Sequence, residues 1–154
     1  MSNGTDTELW LEDFLSDLID FSGLDVSIEE LYLDDEENLV VQIAGPDSAR
    51  VIGREGVVLE AIQHIVVSAA IHTGITRKRL IVDVERYRER RERKLCDDAA
   101  HYANEVLSSG EPFDLAPMSP RERRLIHMTI SGIDGVTTES VGEGDDRFVR
   151  VLPR

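Results

Sequence analysis

The chain has 154 residues, of which 41% are hydrophobic, so it can bury one medium core or two small ones. Its single cysteine excludes an intramolecular disulfide. The sequence does not open with a basic stretch followed by an apolar one, and no apolar run approaches the roughly 18 residues of a membrane span. These features predict a cytoplasmic protein without a signal peptide or a membrane segment.

The formal net charge of −14 argues at first against a polyanionic partner, but the distribution of charge reverses that inference. Residues 1–49 hold 14 acidic and no basic residues, whereas residues 50–154 hold 17 of each. Within the second part, residues 77–94 carry nine bases and four acids, a local excess of five positive charges. Because salt screens charges over about 8 Å, a ligand responds to the local patch. Nucleic acid therefore remains a candidate ligand.

Hydrophobic periodicity predicts a mixed order of helices and strands in the first half of the chain. Apolar residues at helical spacing predict a first helix that ends near Gly23. Two alternating segments, "DVSIEELYLD" and "NLVVQIAG", flank an acidic turn and predict a β-hairpin. A helical turn over about residues 47–52 leads through a glycine pair into a second helix, and "RLIVDVERY" predicts a third strand. One face of the second helix is expected to be lined by Leu59, Ile62, Ile65 and Ala69.

The second half begins with a long, charged helix and ends with a predicted hairpin. The helix has an inner stripe of Leu95, Ala99, Tyr102 and Val106. Ser119, Pro120 and Glu122 form a capping box and start signal for a helix that runs to about residue 131. "GVTTESV" and "RFVRVL" predict the hairpin. The sequence thus predicts an α/β (α+β) protein of two small domains, residues 1–86 and 87–154.

Gly53 and Gly56 lie three residues apart between two apolar helical segments. Such a pair allows a tight turn and brings backbone amides close to an anion, and the following helix N-terminus adds a favourable partial charge. No Lys-Ser or Lys-Thr follows the second glycine, and a helical turn precedes the first, so the motif is neither a P-loop nor a dinucleotide fingerprint. On spacing alone, a plain turn is the commoner explanation.

The order α-β-β-α-GxxG-α-β, with "VIGREGVVLEAIQHIV" at its centre, resembles a type II KH domain. The resemblance implies that Gly53 and Gly56 clamp a sugar–phosphate backbone and that Arg54 faces phosphate. Glu55 departs from a strong clamp, because it places an anion beside phosphate. Aspartate at both glycines is expected to lower RNA affinity and to leave the fold intact. The implied groove wall comprises Val51, Ile52, Val57 and Val58.

Arg123 and His127 are four residues apart on a predicted helix, so their side chains project together and suit phosphate binding. Taken alone, a surface arginine and a half-buried histidine are the simpler explanation. Together with "PMSPRERRLIH" and the following hairpin, however, they resemble the R-3-H domain, which is associated with single-stranded nucleic acid. A basic rim around this site is expected from Arg124, Arg147 and Arg150.

The basic run at residues 86–94 cannot share one face of a helix, and some of its members are expected to pair with Glu89 and Glu92. A solvated charged helix is the simplest interpretation of this run. We expect only a subset, Arg88 and Arg91, to contact phosphate.

The two resemblances, joined by "VDVERYRERRERKL", together resemble the Jag family of bacterial RNA-binding proteins, also called KhpB or SpoIIIJ-associated, over about residues 8–152. The resemblance implies binding of single-stranded or looped RNA, with single-stranded DNA as a further possible ligand. It also implies a KH-protein partner similar to KhpA, and post-transcriptional regulation that affects the cell envelope and cell shape. Many relatives carry an additional N-terminal domain, whose functions are not carried over.

No catalytic apparatus is readable in the sequence. The four histidines show no metal-ligand spacing, and neither a nucleophile with its base nor a pair of carboxylates stands out, so no enzyme, metal or cofactor is expected. Two alternatives remain. The acidic residues 1–49 could dock a basic protein while Glu55 marks a loop that no longer holds RNA, or Arg123 and His127 could serve phosphoryl transfer or hydrolysis.

Overall fold

The computed structural model describes residues 3–75 and 78–154. It divides into two compact units, one ending at Arg88 and the other beginning at Glu89. This division falls two residues after the expected boundary at residue 86. Arg77, a member of the predicted basic run, lies outside the described residues.

The first unit has the predicted element order. Its elements are α1 Asn3–Ser22, β1 Ser27–Leu33, β2 Leu39–Ala44, α2 Ser48–Ile52, a 3-10 turn Arg54–Gly56, α3 Val57–Thr73 and β3 Leu80–Val84. β2 is the central strand of the sheet, antiparallel to β1 and parallel to β3. The α-β-β-α-α-β order confirms the predicted fold class for this half of the chain.

The core of the first unit forms between the sheet and the helices α1 and α3. The central strand is buried along almost its whole length. From α3, Leu59, Val66 and Ala70 are buried, whereas Ile65 is 45% exposed. The predicted stripe of α3 is therefore wrong in its C-terminal half, where it is displaced by one residue. The reason is that α3 is apolar on most of its faces, so periodicity alone does not fix which face packs.

Residues 54–73 are long and apolar enough to cross a membrane by length and composition. The expectation that no apolar run approaches the length of a membrane span is corrected by this stretch, which consists of the 3-10 turn and α3. The same test is passed by the core helices of soluble domains, and α3 inserts Leu59, Val66 and Ala70 into the core. In this fold the run thus belongs to the helix that contributes these three residues to the core of the first unit.

The second unit packs two helices on an antiparallel sheet. Its elements are α4 Tyr87–Ser109, which begins just before the division, β4 Phe113–Asp114, α5 Pro120–Ser131, β5 Val136–Val141 and β6 Phe148–Pro153. The strand order is β4-β6-β5, and β5 and β6 form the predicted hairpin. The short strand β4 was not expected. Ser119 Oγ accepts from the Glu122 amide while the Glu122 carboxylate accepts from the Ser119 amide, as the capping box predicts.

The register of the hairpin determines what α5 faces. Thr138 is opposite Val151 and Ser140 is opposite Val149. Both valines are fully buried in the core that also contains Ile126 and Ile130 of α5. Because side chains alternate across a strand, Thr138 and Ser140 lie on the same face of the sheet as these valines, toward α5.

Candidate nucleic-acid interface

The GxxG loop, residues 53–56, joins α2 to α3 through a single 3-10 turn. Gly53 has φ 73° and ψ −173°, a conformation essentially restricted to glycine, and Gly56 has φ 83°. Glu55 also adopts the left-handed conformation, with φ 52°. The loop therefore ends at the first turn of α3, whose amides lack intrahelical acceptors and favour an anion.

Neither glycine of the loop can gain a side chain without overlap. A Cβ on Gly53 would overlap Cγ2 of Val58, and a Cβ on Gly56 would lie 2.8 Å from Cε1 of Tyr87. The structure therefore predicts that aspartates at both positions strain the fold, contrary to the expectation that they leave it intact. The close neighbours and the positive φ values explain why glycine is required at both positions by the fold itself.

Arg54 and Glu55 project from the loop into solvent, and both are exposed. None of the ion pairs found among residues 3–75 and 78–154 involves either side chain. The guanidinium of Arg54 is thus open to solvent near the N-terminus of α3, and in the described part of the chain no ion pair neutralises the carboxylate of Glu55. The loop therefore presents one cation and one anion at adjacent exposed positions.

His127 on α5 lies between two hydroxyl groups of β5. Its Nδ1 is 2.6 Å from Thr138 Oγ1, and its Nε2 is 2.9 Å from Ser140 Oγ. In a neutral imidazole one ring nitrogen donates and the other accepts, and a hydroxyl can meet either requirement. The ring is therefore held in one orientation at the edge of the sheet.

Two arginines flank this histidine. Partial burial lowers the pKa of His127 below its usual 6.5, and the charges of Arg123 and Arg147 lower it further. Arg123 also donates from Nη1 to the carbonyl oxygen of Met118 at 2.7 Å. We call this cluster the Arg–His site, and it consists of Arg123, His127, Thr138, Ser140 and Arg147. The Arg–His site therefore combines an imidazole with two guanidinium groups, groups of a kind that can hydrogen-bond phosphate.

We expect phosphate binding at the Arg–His site to raise the pKa of His127, because an added anion favours the imidazolium. In the free protein the depressed pKa means that the unfolded chain binds this proton more tightly, so the group's contribution to stability is lost as the pH falls below about 6.5. RNA binding is coupled to uptake of this proton, so RNA affinity should increase as the pH falls through the same range. An NMR titration of His127 with and without a single-stranded RNA tests this, and an unchanged pKa would count against it.

The remaining arginines predicted to contact RNA differ in whether they already have a partner within the protein. Arg124 is exposed on α5, next to Arg123. Arg88 pairs with Glu60 and donates to the carbonyl of Val82, so its guanidinium is committed within the first unit.

Arg91 and Arg150 are also engaged, both within the second unit. Arg91 donates to Glu122 at 2.9 Å. Arg150 forms a two-pronged pair with Asp114, which raises the pKa of Arg150, and it lies on the sheet face opposite Thr138. The structure thus brings together Arg123, His127 and Arg147, and it gives Arg91 and Arg150 intramolecular partners.

Sequence reasoning did not find Thr138 and Ser140. A signal was present in "VTTESV", where two hydroxyl residues alternate with side chains of the other face. Their contact with His127 depends on the packing of α5 against β5, which no local pattern specifies. Among the described residues, no group of three or more His, Cys, Asp or Glu is arranged to hold a metal ion.

Comparison with known families identifies a domain family in each half of the chain. Residues 8–84 match the family model of the KhpA/KhpB KH domain, and residues 90–153 match that of the R-3-H domain. The RNA-binding protein KhpB of Clostridium symbiosum is 32% identical over 137 residues, which cover 89% of this chain and 62% of that protein. The RNA-binding protein KhpB of Bacillus subtilis (strain 168) is 32% identical over 127 residues, or 81% and 59%.

A third relative, the RNA-binding protein KhpB of Lactiplantibacillus plantarum, is 36% identical over 103 residues, covering 67% of this chain and 32% of that protein. The chain spans about six-tenths of the length of the first two relatives. The similarity to each of them extends over both units.

Proposed function

Because this chain belongs to the KhpA/KhpB family of KH domains and continues into an R-3-H domain, we propose that it binds single-stranded or looped RNA. The GxxG loop of the first domain clamps the backbone, and the Arg–His site of the second makes a further phosphate or base contact. Exposed Arg124 adds a cation next to Arg123. Arg88, Arg91 and Arg150 are each paired with a carboxylate, so a contact of theirs with phosphate requires exchange of that partner. The observation that carries the proposal is the pair of glycine conformations that places exposed Arg54 at the start of α3.

The two charged residues of the loop provide the sharpest test. Arg54→Gln should weaken binding of a single-stranded RNA about fivefold, because it removes a positive charge near phosphate. Glu55→Gln should strengthen binding about threefold, because it removes a negative charge there. Both side chains are exposed, so thermal melting should be unchanged. Opposite shifts in affinity support the clamp. Equal affinities for both variants and the unchanged protein would exclude contact of the loop with RNA.

The enzyme alternative is disfavoured by the surroundings of His127. Its contact with Ser140 has the length expected of a base and a nucleophile, but the group that orients the other nitrogen is the hydroxyl of Thr138. Among the described residues no carboxylate forms an ion pair with the ring, and two arginines oppose its protonation, so the imidazolium that such catalysis needs is not stabilised. The relatives found are RNA-binding proteins, which agrees with a non-enzymatic role. Hydrolysis of RNA that is lost in His127→Ala would reverse this conclusion.

A KH-protein partner similar to KhpA forms part of the proposal. The exposed face of α3 supports it, because Ile65 and Ile71 are 45% and 73% exposed. They lie roughly two and a half and four helical turns beyond the loop region. We expect Ile65→Asp with Ile71→Asp to abolish association with a partner KH domain in ultracentrifugation while RNA binding persists. Loss of RNA binding alone would assign this face to RNA. Association that survives both substitutions would exclude α3 as the contact.

The cellular setting is proposed from the family alone. We place the protein in the cytoplasm, where it would regulate transcripts after synthesis and thereby influence the cell envelope and cell shape. RNA is the favoured ligand over single-stranded DNA, and competition between matched oligonucleotides of the two chemistries separates them. If the chain retains protein partners after nuclease treatment and has no affinity for RNA, the alternative that it is a protein-interaction module would be supported instead.

A further inference from the structure

Residues 83–88, which connect β3 to the first turn of α4, contact the GxxG loop and both of its flanking helices. We call this stretch the brace segment. It is the "DVERYR" part of the sequence and lies entirely within the first unit. The proposed RNA contact does not use these residues directly, apart from Arg88, whose guanidinium is already committed. Their arrangement therefore requires a separate explanation.

The brace segment has an unusual backbone that buried polar groups hold in place. Glu85 and Arg86 are consecutive left-handed residues, with φ 49° and 56°. The amide of Arg86 donates to the side-chain oxygen of Gln42 at 3.1 Å, and the amide of Arg88 donates to Asp83 at 3.3 Å. Gln42 and Asp83 are 4% and 6% exposed. Such a conformation persists only where the surroundings over-determine it.

Three side chains of the brace segment reach the loop region at successive points. The Ser48 hydroxyl, at the start of α2, donates to Glu85 at 2.8 Å. The ring of Tyr87 lies against Gly56, within the space that a Cβ would occupy. Arg88 pairs with Glu60 in the first turn of α3. The contacts thus fall before, within and after residues 53–56.

We propose that the brace segment fixes the GxxG loop in its observed conformation, with Tyr87 as the main positioning residue. A loop that contains two glycines loses much conformational freedom when it is ordered. A ring packed against Gly56 removes that freedom before any ligand binds, so less of the binding energy is lost in ordering the loop. The requirement for glycine at residue 56 then arises from Tyr87 as well as from RNA. The proposal that the loop is fixed does not depend on the proposed function. Only the expected effect on RNA affinity rests on it.

The experiment compares Tyr87→Ala with Tyr87→Phe in the full chain, by amide hydrogen exchange. In Tyr87→Ala we expect the amides of residues 53–57 to exchange about tenfold faster, while the buried amides of β2 are unchanged. Tyr87→Phe keeps the ring and should match the unchanged protein. RNA affinity of Tyr87→Ala should fall about fivefold with the same dependence on salt, because no phosphate contact is removed.

Unchanged exchange at residues 53–57 in Tyr87→Ala would overturn the proposal, and so would equally fast exchange in Tyr87→Phe. If Tyr87→Ala does not fold, Tyr87→Leu keeps an apolar side chain without the ring, and the same exchange pattern is expected. The exchange measurement needs no RNA. A protein that shows the predicted exchange and binds no RNA would therefore contradict the proposed function and leave the brace segment supported.

Discussion

Replacement of both loop glycines by aspartate is expected to destabilise the first unit by about 4 kcal/mol or more. A non-glycine residue at positive φ costs about 1–2 kcal/mol, and forced overlap in a packed region costs about 1–3 kcal/mol at each position. Gly53 and Gly56 carry both penalties, because Val58 and Tyr87 occupy the space that the new side chains need. Against a typical domain stability of about 5–15 kcal/mol, this loss lowers the melting temperature markedly.

Gly23 and Gly74 provide a matched control for this substitution. Their φ values are 66° and 67°, and a Cβ at either position meets no atom within 4 Å. Gly23→Asp with Gly74→Asp adds the same two charges without overlap, so only the penalty of the left-handed conformation applies, about 1–2 kcal/mol at each position. Urea denaturation of the two double variants should separate them clearly, and equal midpoints would show that the loop is not packed as described.

Arg123→Ala is expected to lower RNA affinity about tenfold, because a charge-assisted contact with phosphate is lost. The slope of log affinity against log salt should also become less steep, by about 0.7 for one phosphate contact on a single strand. Arg123 and His127 act at the same place, so Arg123→Ala combined with His127→Ala should lose less than the sum of the two separate losses. Affinity measured at four or five salt concentrations provides both values.

Arg121→Ala is the control for this prediction. Arg121 lies on the same helix, is exposed and pairs with Glu92. Its removal changes net charge by the same amount as removal of Arg123, yet it should leave the affinity within about twofold. Arg123→Lys should retain the salt slope, because it keeps the charge. If the salt slope is unaltered in Arg123→Ala, then Arg123 only binds the Met118 carbonyl and does not contact RNA.

Much of the fold was predictable from local chemistry. The acidic turn and the capping box at Ser119 are each determined by neighbouring residues, and the structure agrees with them. The alternation expected of β2 is not seen, because this central strand is buried on both faces. The inner face of α3 was less predictable, because apolar residues surround that helix and its packing on the sheet decides which are buried. β4 has two residues, which is too short for any periodicity.

The candidate site was predictable only in part. Gly53, Gly56, Arg123 and His127 follow from spacing and family resemblance. Thr138 and Ser140 depend on the docking of α5 against the hairpin, and the contact of Tyr87 with Gly56 joins residues more than thirty positions apart. Contacts of this kind are set by tertiary packing. The engagement of Arg91 and Arg150 with carboxylates belongs to the same class.

Residue-level mapping of RNA crosslinks on the full chain tests the central claim most directly. With a single-stranded RNA bound, we predict crosslinks at residues 53–58 and at residues 123–127 and 138–147, and few along the acidic residues 1–49. The crosslinks at the first segment should diminish in Arg54→Gln and those at the second in Arg123→Ala. RNA that binds the chain but crosslinks outside both segments would contradict the account.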